Sequence, residues 1–144
     1  MIVVATEAEY KIAIDRWQDQ DIIMTGVGGL NIFKALRDIP THTPIINFGY
    51  VGSNKLAIGT EVVIGECRLY HPNVEYVEPI FNIGGDITCL TSNDFVLSTN
   101  IEEPVVFDME LAYILAMGFL NVKSIKIVSD NLSLKEYNEE VQNG

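Results

Sequence analysis

The chain has 144 residues, 48% of them hydrophobic, and a formal net charge of −11 set against only nine basic residues; this is the composition of one globular domain over residues 1–144 and not of a disordered chain. Its arginines (Arg16, Arg37, Arg68) are few and scattered, which argues against a nucleic-acid-binding face and against phosphate held by an arginine cluster, although a Gly-rich loop can still hold phosphate through backbone N–H groups. No apolar run reaches the ~18 residues of a membrane span, no basic stretch precedes the first apolar residues, and Cys67, Cys89 and two histidines lack metal-ligand spacing, so the expectation is a cytoplasmic chain with reduced thiols, no membrane contact, no metal and no cofactor.

Met1 to Ala5 is a short β-rich run that reads as a central strand. Thr6-Glu7-Ala8-Glu9 then has capping-box spacing, with Ala8, Ile12, Ala13 and Trp17 as the inner face of the helix. Glu7 and Glu9 fall in its first turn, where the ordinary reading is a solvated, dipole-matched helix start. Asp21 to Thr25 reads as a second strand running into Gly26-Val27-Gly28-Gly29 and a helical pattern at Ile32, Phe33 and Leu36. That turn lacks both the Lys-Ser/Thr of a P-loop and the third glycine of a dinucleotide fingerprint, and a tight strand-to-helix connection explains it equally well. Pro44 to Phe48 is a third strand, read as ending in a second glycine turn, Gly49-Tyr50-Val51-Gly52-Ser53. Two successive strands ending in glycine turns point to the carboxyl edge of a sheet, where ligands bind in open α/β folds. A strand follows at Glu61 to Gly65, then a hairpin or loop-rich excursion from Glu66 to Asp86 with a β-rich piece at Val74 to Val77. Short strands are expected at Ile87 to Leu90, Phe95 to Leu97 and Pro104 to Phe107.

The next stretch is the most informative. Phe107-Asp108-Met109-Glu110 joins a strand to a run that is apolar as far as Phe119 except for the Tyr113 hydroxyl. Asp108 reads as an ordinary N-cap. Glu110 has two readings: an exposed first-turn carboxylate that complements the helix dipole, or a buried one that must be paired, protonated or turned into a cavity, because a helix apolar all round is buried. Ser124 to Val128 is the last strand and delivers Ser129-Asp130-Asn131 at its end; a capping box at Ser133-Leu134-Lys135-Glu136 starts the final helix. Asp130 therefore sits at a strand end, where an Asx-type turn is as good a reading as chemistry.

Thr25-Gly26-Val27-Gly28 with Asn31, Ile45 to Gly52, Ile58 to Ile64, Asp108-Met109-Glu110 and Ser129-Asp130-Asn131, in that order, resemble the purine nucleoside phosphorylase superfamily. Within it they are most similar to the 5'-methylthioadenosine/S-adenosylhomocysteine nucleosidase branch. The resemblance implies a three-layer α/β fold with a twisted mixed sheet, partly closed as a barrel and flanked by helices. It implies that Met109-Glu110 is the pair whose glutamate accepts hydrogen bonds from the ribose hydroxyls, that Ser129-Asp130 carries the acid that protonates the purine at N7, and that Glu9 activates the water. It further places Tyr50, Val51 and Gly52 in the turn beside the base, and Phe95 and Val96 against the base, and it implies a homodimer with a small-molecule nucleoside as partner.

The implied chemistry suits these residue types. Cleavage of an N-glycosidic bond passes through an oxocarbenium-like transition state. A purine leaves poorly as an anion, so it needs an acid, and the water needs a base on the other face of the sugar; each such role is worth ~10²–10⁴ in rate. Asp130 would need a raised pKa to serve as the acid. Phosphorylases of the superfamily hold phosphate with arginines in stretches matching Ala5 to Ile12 and Asn47 to Ser53, where this chain has none, which favours water as acceptor. The chain also departs from the family. It is shorter at Glu66 to Asp86 and in its last helix, Tyr50 stands where the nucleosidases have a small residue, and Asn93-Asp94 replaces an Asp-Ala. These departures leave the 5'-substituent open, along with phosphorolysis and binding without cleavage.

Overall fold

The computed structural model describes residues 1–73 and 78–143. Strand β1 (Ile2–Val4) is flanked by β2 (Ile22–Met24) and β3 (Ile45–Ser53), parallel to both. Its three residues are buried on both faces, as expected of a central parallel strand. Alternation divides them: Ile2 and Val4 pack with Phe48 and Ala13 on one face, Val3 with Ile32 and Leu36 on the other. Helix α1 (Glu7–Arg16) covers the first face; α2 (Gly29–Leu36) and α3 (Leu111–Ala116) cover the second.

Beyond β3 the sheet curls into a ring. β8 (Val122–Asp130) runs parallel to β3, and β4 (Glu61–Leu69) antiparallel to β8. β6 (Ile87–Thr91) is parallel to β4, and β7 (Val105–Asp108) parallel to β6. β7 then returns antiparallel to the end of β3, pairing Gly52 with Phe107 and Ser53 with Val106. Five strands thus close as β3-β8-β4-β6-β7, while β1, β2 and the short β5 (Phe81–Asn82), antiparallel to β4, lie outside. This is the barrel-like mixed sheet the resemblance implies. Helix α4 (Leu134–Asn143) packs against β8. Among the described residues no helix is long and apolar enough to cross a membrane.

Three readings are corrected. Gly49 to Ser53 is not a turn: β3 continues through it, paired to β8 as far as Gly52 with a register shift between Val51 and Gly52. Tyr50, Val51 and Gly52 are therefore strand residues. Phe95 to Leu97 forms no strand, because β6 ends at Thr91 and the segment runs on as irregular chain. Asp108 is not the N-cap of the apolar helix after it: that position is Glu110's, because β7 runs on through Asp108, and the helix spans Leu111–Ala116, ended by Gly118 at φ +92°, a left-handed position that suits glycine. The Glu66 to Asp86 excursion is a hairpin, with Glu66 opposite Asn82 and Cys67 opposite Phe81; the β-rich piece expected at Val74 to Val77 lies outside the described residues.

Candidate active site

The site lies where the sheet forks. β1 pairs with β3 at Ile46 and Asn47, β7 pairs with the same edge at Gly52 and Ser53, and between them the N–H of Tyr50 faces Glu9 instead of a strand. Glu9 is the third residue of α1, and its capping box is complete: Thr6 Oγ1 accepts from Glu9 N (3.3 Å) and Glu9 Oε1 accepts from Thr6 N (3.1 Å). The same carboxylate also accepts from Ala5 N (2.9 Å) and, through Oε2, from Tyr50 N (2.8 Å). Glu9 is thus buried and held by three backbone donors, unlike the exposed first-turn residue that local sequence suggests. Gly49 makes this possible: a Cβ there would lie 2.7 Å from Glu9 Oε2.

Asp130 ends β8 and is buried. Its Oδ2 accepts from Leu132 N (3.0 Å) and Ser133 N (3.3 Å), so the Asx-type turn is present. Ser133 N is consequently unavailable to Glu136, whose carboxylate accepts from Asn131 N; only the Ser133 half of the second capping box forms. Asp130 Oδ1 accepts from Ser129 Oγ at 2.7 Å, and the same hydroxyl lies 3.3 Å from Val51 O. Burial pushes the Asp130 pKa up against these hydrogen bonds, which pull it down. Gly52 is to Asp130 what Gly49 is to Glu9: a Cβ there would sit 2.9 Å from Asp130 Oδ2.

Glu110 occupies the N-cap of α3, and its Oε2 accepts from Gly28 N at 2.8 Å. The glycine turn after β2 therefore binds an anion, and that anion is a side chain of the protein. Burial, then the charge of Asp108, raises the Glu110 pKa to about 7, against the opposing pull of Lys126 and Gly28 N–H. Asp108, expected from sequence to be the N-cap, is instead the last residue of β7, two positions before that cap. It accepts from Leu111 N (2.8 Å) and Thr91 Oγ1 (2.5 Å), and Lys126 Nζ lies 3.4 Å from its Oδ2, both side chains fully buried. Burial pushes Lys126 towards neutrality, but Asp108 and the other acidic groups around it outweigh this and its pKa rises.

These elements enclose a cavity of about 140 Å³. Glu9, Tyr50, Val51, Gly52, Phe95, Met109, Glu110, Ser129 and Asp130 all line it. Val96 does not; with Phe95 it lines a smaller space of about 30 Å³ that shares Gly52, Met109 and Asp130 with the first. Nine of the ten residues named from sequence thus reach one cavity from separate stretches of chain. Sequence reasoning missed Lys126, the buried one of the two lysines of β8, which lies beside Asp108, and Tyr137, which reaches the cavity from α4. No arginine is among the cavity's lining residues. Among the described residues no group of three or more His, Cys, Asp or Glu side chains is arranged to hold a metal ion. The arrangement brings to one cavity a carboxylate fixed by three backbone donors, Glu9, and two carboxyls of raised pKa, Glu110 and Asp130.

Solved structures share this architecture across almost the whole chain. The Chlamydia trachomatis 5'-methylthioadenosine/S-adenosylhomocysteine nucleosidase superposes at a TM-score of 0.80 with 13% identity, over 99% of this chain and 86% of that one. The Helicobacter pylori enzyme of the same name, complexed with a pyrrolidine-based ligand, gives 0.78 and 12%, over 99% and 90%. The Streptococcus pyogenes S-adenosylhomocysteine nucleosidase, complexed with 5-methylthiotubericidin, gives 0.78 and 15%, over 98% and 89%. The fold is that of the 5'-methylthioadenosine/S-adenosylhomocysteine nucleosidases, in a shortened form. No protein-family model and no curated protein matches the sequence. Other structures of the Chlamydia protein are bound to 5'-methylthioadenosine and to adenine.

Proposed function

We propose that the chain, as a single domain, hydrolyses the N-glycosidic bond of a purine nucleoside and releases the free base, working in the cytoplasm as a homodimer. The observation that carries this reading is the convergence of Glu9, Glu110 and Asp130 on one cavity, with glycines making room for two of the three carboxylates. In this reading Glu110 accepts hydrogen bonds from the ribose 2'- and 3'-hydroxyls. Glu9 has about four lone-pair sites, of which three are taken by backbone N–H groups; the fourth accepts the proton of the attacking water. Asp130 delivers a proton to purine N7. When it is protonated, the Ser129 hydroxyl turns to Val51 O and leaves the Asp130 O–H free to donate into the cavity. Phe95, Val96 and Met109 bound the base and sugar. With no arginine among the lining residues, water is favoured over phosphate as the acceptor.

The test is an end-point assay by mass spectrometry on adenosine, inosine, guanosine, uridine, 5'-methylthioadenosine and S-adenosylhomocysteine, with and without phosphate. Free purine should appear without phosphate. Asp130→Asn should lower kcat by ~10²–10⁴ with little change in KM; full turnover by this variant would refute the acid assignment. Ribose 1-phosphate formed only when phosphate is added would instead mean phosphorolysis. One observation favours a second reading, binding without cleavage: local donors engage both oxygens of Asp130. Nucleoside bound with no product in either condition would select it.

A further inference from the structure

The side chain at the start of a helix ordinarily accepts a hydrogen bond from the N–H of the second or third helical residue, because the first turn has no carbonyls of its own to offer. Glu110 holds the N-cap position of α3 and makes no such bond. Other residues meet those donors. Leu111 N donates to Asp108 Oδ2 at 2.8 Å and Ala112 N to Thr91 Oγ1 at 3.0 Å, while Tyr113 N and Ile114 N reach the Glu110 carbonyl at 3.1 and 3.2 Å. Thr91 is fully buried and ends β6, in register with Asp108 at the end of the neighbouring parallel strand β7. Its hydroxyl is saturated: the proton goes to Asp108 Oδ1 (2.5 Å), and Ala112 N and, at 3.6 Å, the Cys67 thiol lie on the oxygen. With Leu111 and Ala112 N–H satisfied in this way, the Glu110 carboxylate reaches away from its own helix, to Gly28 N and the cavity.

We propose that Thr91 is a positioning residue: it caps α3 in place of Glu110 and thereby holds the Glu110 carboxylate in the cavity, where that carboxylate selects sugars bearing vicinal hydroxyls. The sugar selectivity rests on the nucleosidase reading; the positioning does not. Thr91 is not among the residues that line the cavity, so it acts only through Glu110. Without its hydroxyl, Ala112 N–H becomes a buried donor with no acceptor, a state costly enough to recruit another one. Asp108 is committed to Leu111 N–H and Lys126. The N-cap side chain is the group that ordinarily makes this bond, so the Glu110 carboxylate turns back onto its own helix and leaves Gly28 N–H and the cavity. The hydroxyl is what matters at position 91. Serine therefore serves as well as threonine, and valine, which has threonine's shape, does not.

The experiment compares Thr91→Val and Thr91→Ser with the unchanged position, all in an Asp130→Asn background so that binding is measured without turnover. Calorimetry gives Kd for adenosine and 2',3'-dideoxyadenosine, and NMR gives the Gly28 amide proton shift, with Glu110→Ala as the reference for a Gly28 amide that has lost its acceptor. With threonine or serine, adenosine should bind about tenfold more tightly than the dideoxynucleoside. Thr91→Val should cut that ratio to about twofold, by weakening adenosine alone, and should move the Gly28 amide to its Glu110→Ala position. If the valine chain does not fold, Thr91→Cys takes its place; its thiol is a weak acceptor, and the ratio should fall by about threefold. An unmoved Gly28 amide, an equal loss on both nucleosides, or a serine variant that behaves like valine overturns the assignment. A Gly28 amide that moves in a chain with no preference for adenosine, or with no nucleoside binding, keeps the positioning and removes the nucleosidase reading of Glu110. A tenfold preference that survives Thr91→Val does the reverse.

Discussion

Glu110 shows how a single side chain ties stability to pH. Its carboxyl sits near pKa 7 in the fold, raised by burial and by Asp108, against about 4.5 when exposed. Between those values the folded chain holds a proton that the unfolded chain has released, so stability falls as pH rises through the window. The full shift corresponds to at most about 3 kcal/mol. Glu110→Gln keeps a carbonyl for Gly28 N–H and removes the ionisation. In calorimetry from pH 5 to 8, wild type should lose roughly 5–10 °C of Tm relative to this variant; parallel curves would mean that Glu110 does not titrate there. Asp130 shifts in the same direction, so the difference between the two curves, not the wild-type slope, isolates Glu110. The importance of Glu110 is legible in sequence, because an acidic residue opens an apolar run. Lys126 is not legible. In a strand such as Ser124 to Val128 a lysine reads as the solvent-facing residue of a half-buried strand. Only the pairing of β8 with both β3 and β4 encloses it beside Asp108.

Strand β3 shows the same limit at the scale of an element. Gly49-Tyr50-Val51-Gly52 reads as a turn because glycines punctuate chains, yet a glycine inside a strand equally marks a close approach. The approaching atoms belong to Glu9 and Asp130, remote in sequence, and nothing local distinguishes the two cases. The positions of β1, the first half of β3, the middle of β8 and the capping residues Thr6 and Ser133 are legible because their signals are local periodicity and side-chain-to-backbone hydrogen bonds. This geometry makes Gly49→Ala a sharp probe. The backbone there is extended strand, so the added methyl is not strained by φ and first meets the Glu9 carboxylate, 2.7 Å away. The carboxylate should be driven off Tyr50 N–H, at a stability cost of about 1–3 kcal/mol. Turnover should fall by ~10² or more while circular dichroism still reports a folded chain. Turnover equal to wild type would show that Glu9 need not occupy its present position.

For the whole molecule, closing five strands into a ring hides most of the apolar surface but leaves one face of α2 uncovered. Leu30 (76% exposed) and Phe33 (53%) lie three residues apart on that helix, and Met24 (51%) and Val27 (47%) precede them in the chain. Phe33 also borders an apolar groove between α2 and α3, beside Tyr113 and Met117. Large apolar side chains exposed on one short helix mark an interaction surface, and a ridge beside a groove suits a two-fold contact in which each copy inserts its ridge into the other. Val27 belongs both to this face and to the lining of the cavity, so a second copy seated here would also narrow the cavity mouth. Light scattering after size exclusion should therefore give twice the mass of the chain at tens of micromolar. Leu30→Glu, which replaces a side chain that makes little contact within its own chain, should give the single mass without loss of helix signal. If the dimer also shields the cavity, base release per chain should fall on dilution through the dissociation range, and in Leu30→Glu it should be low at every concentration. A wild-type chain that runs as a monomer would reject the interface, and a dimer that Leu30→Glu leaves intact would move it to another face.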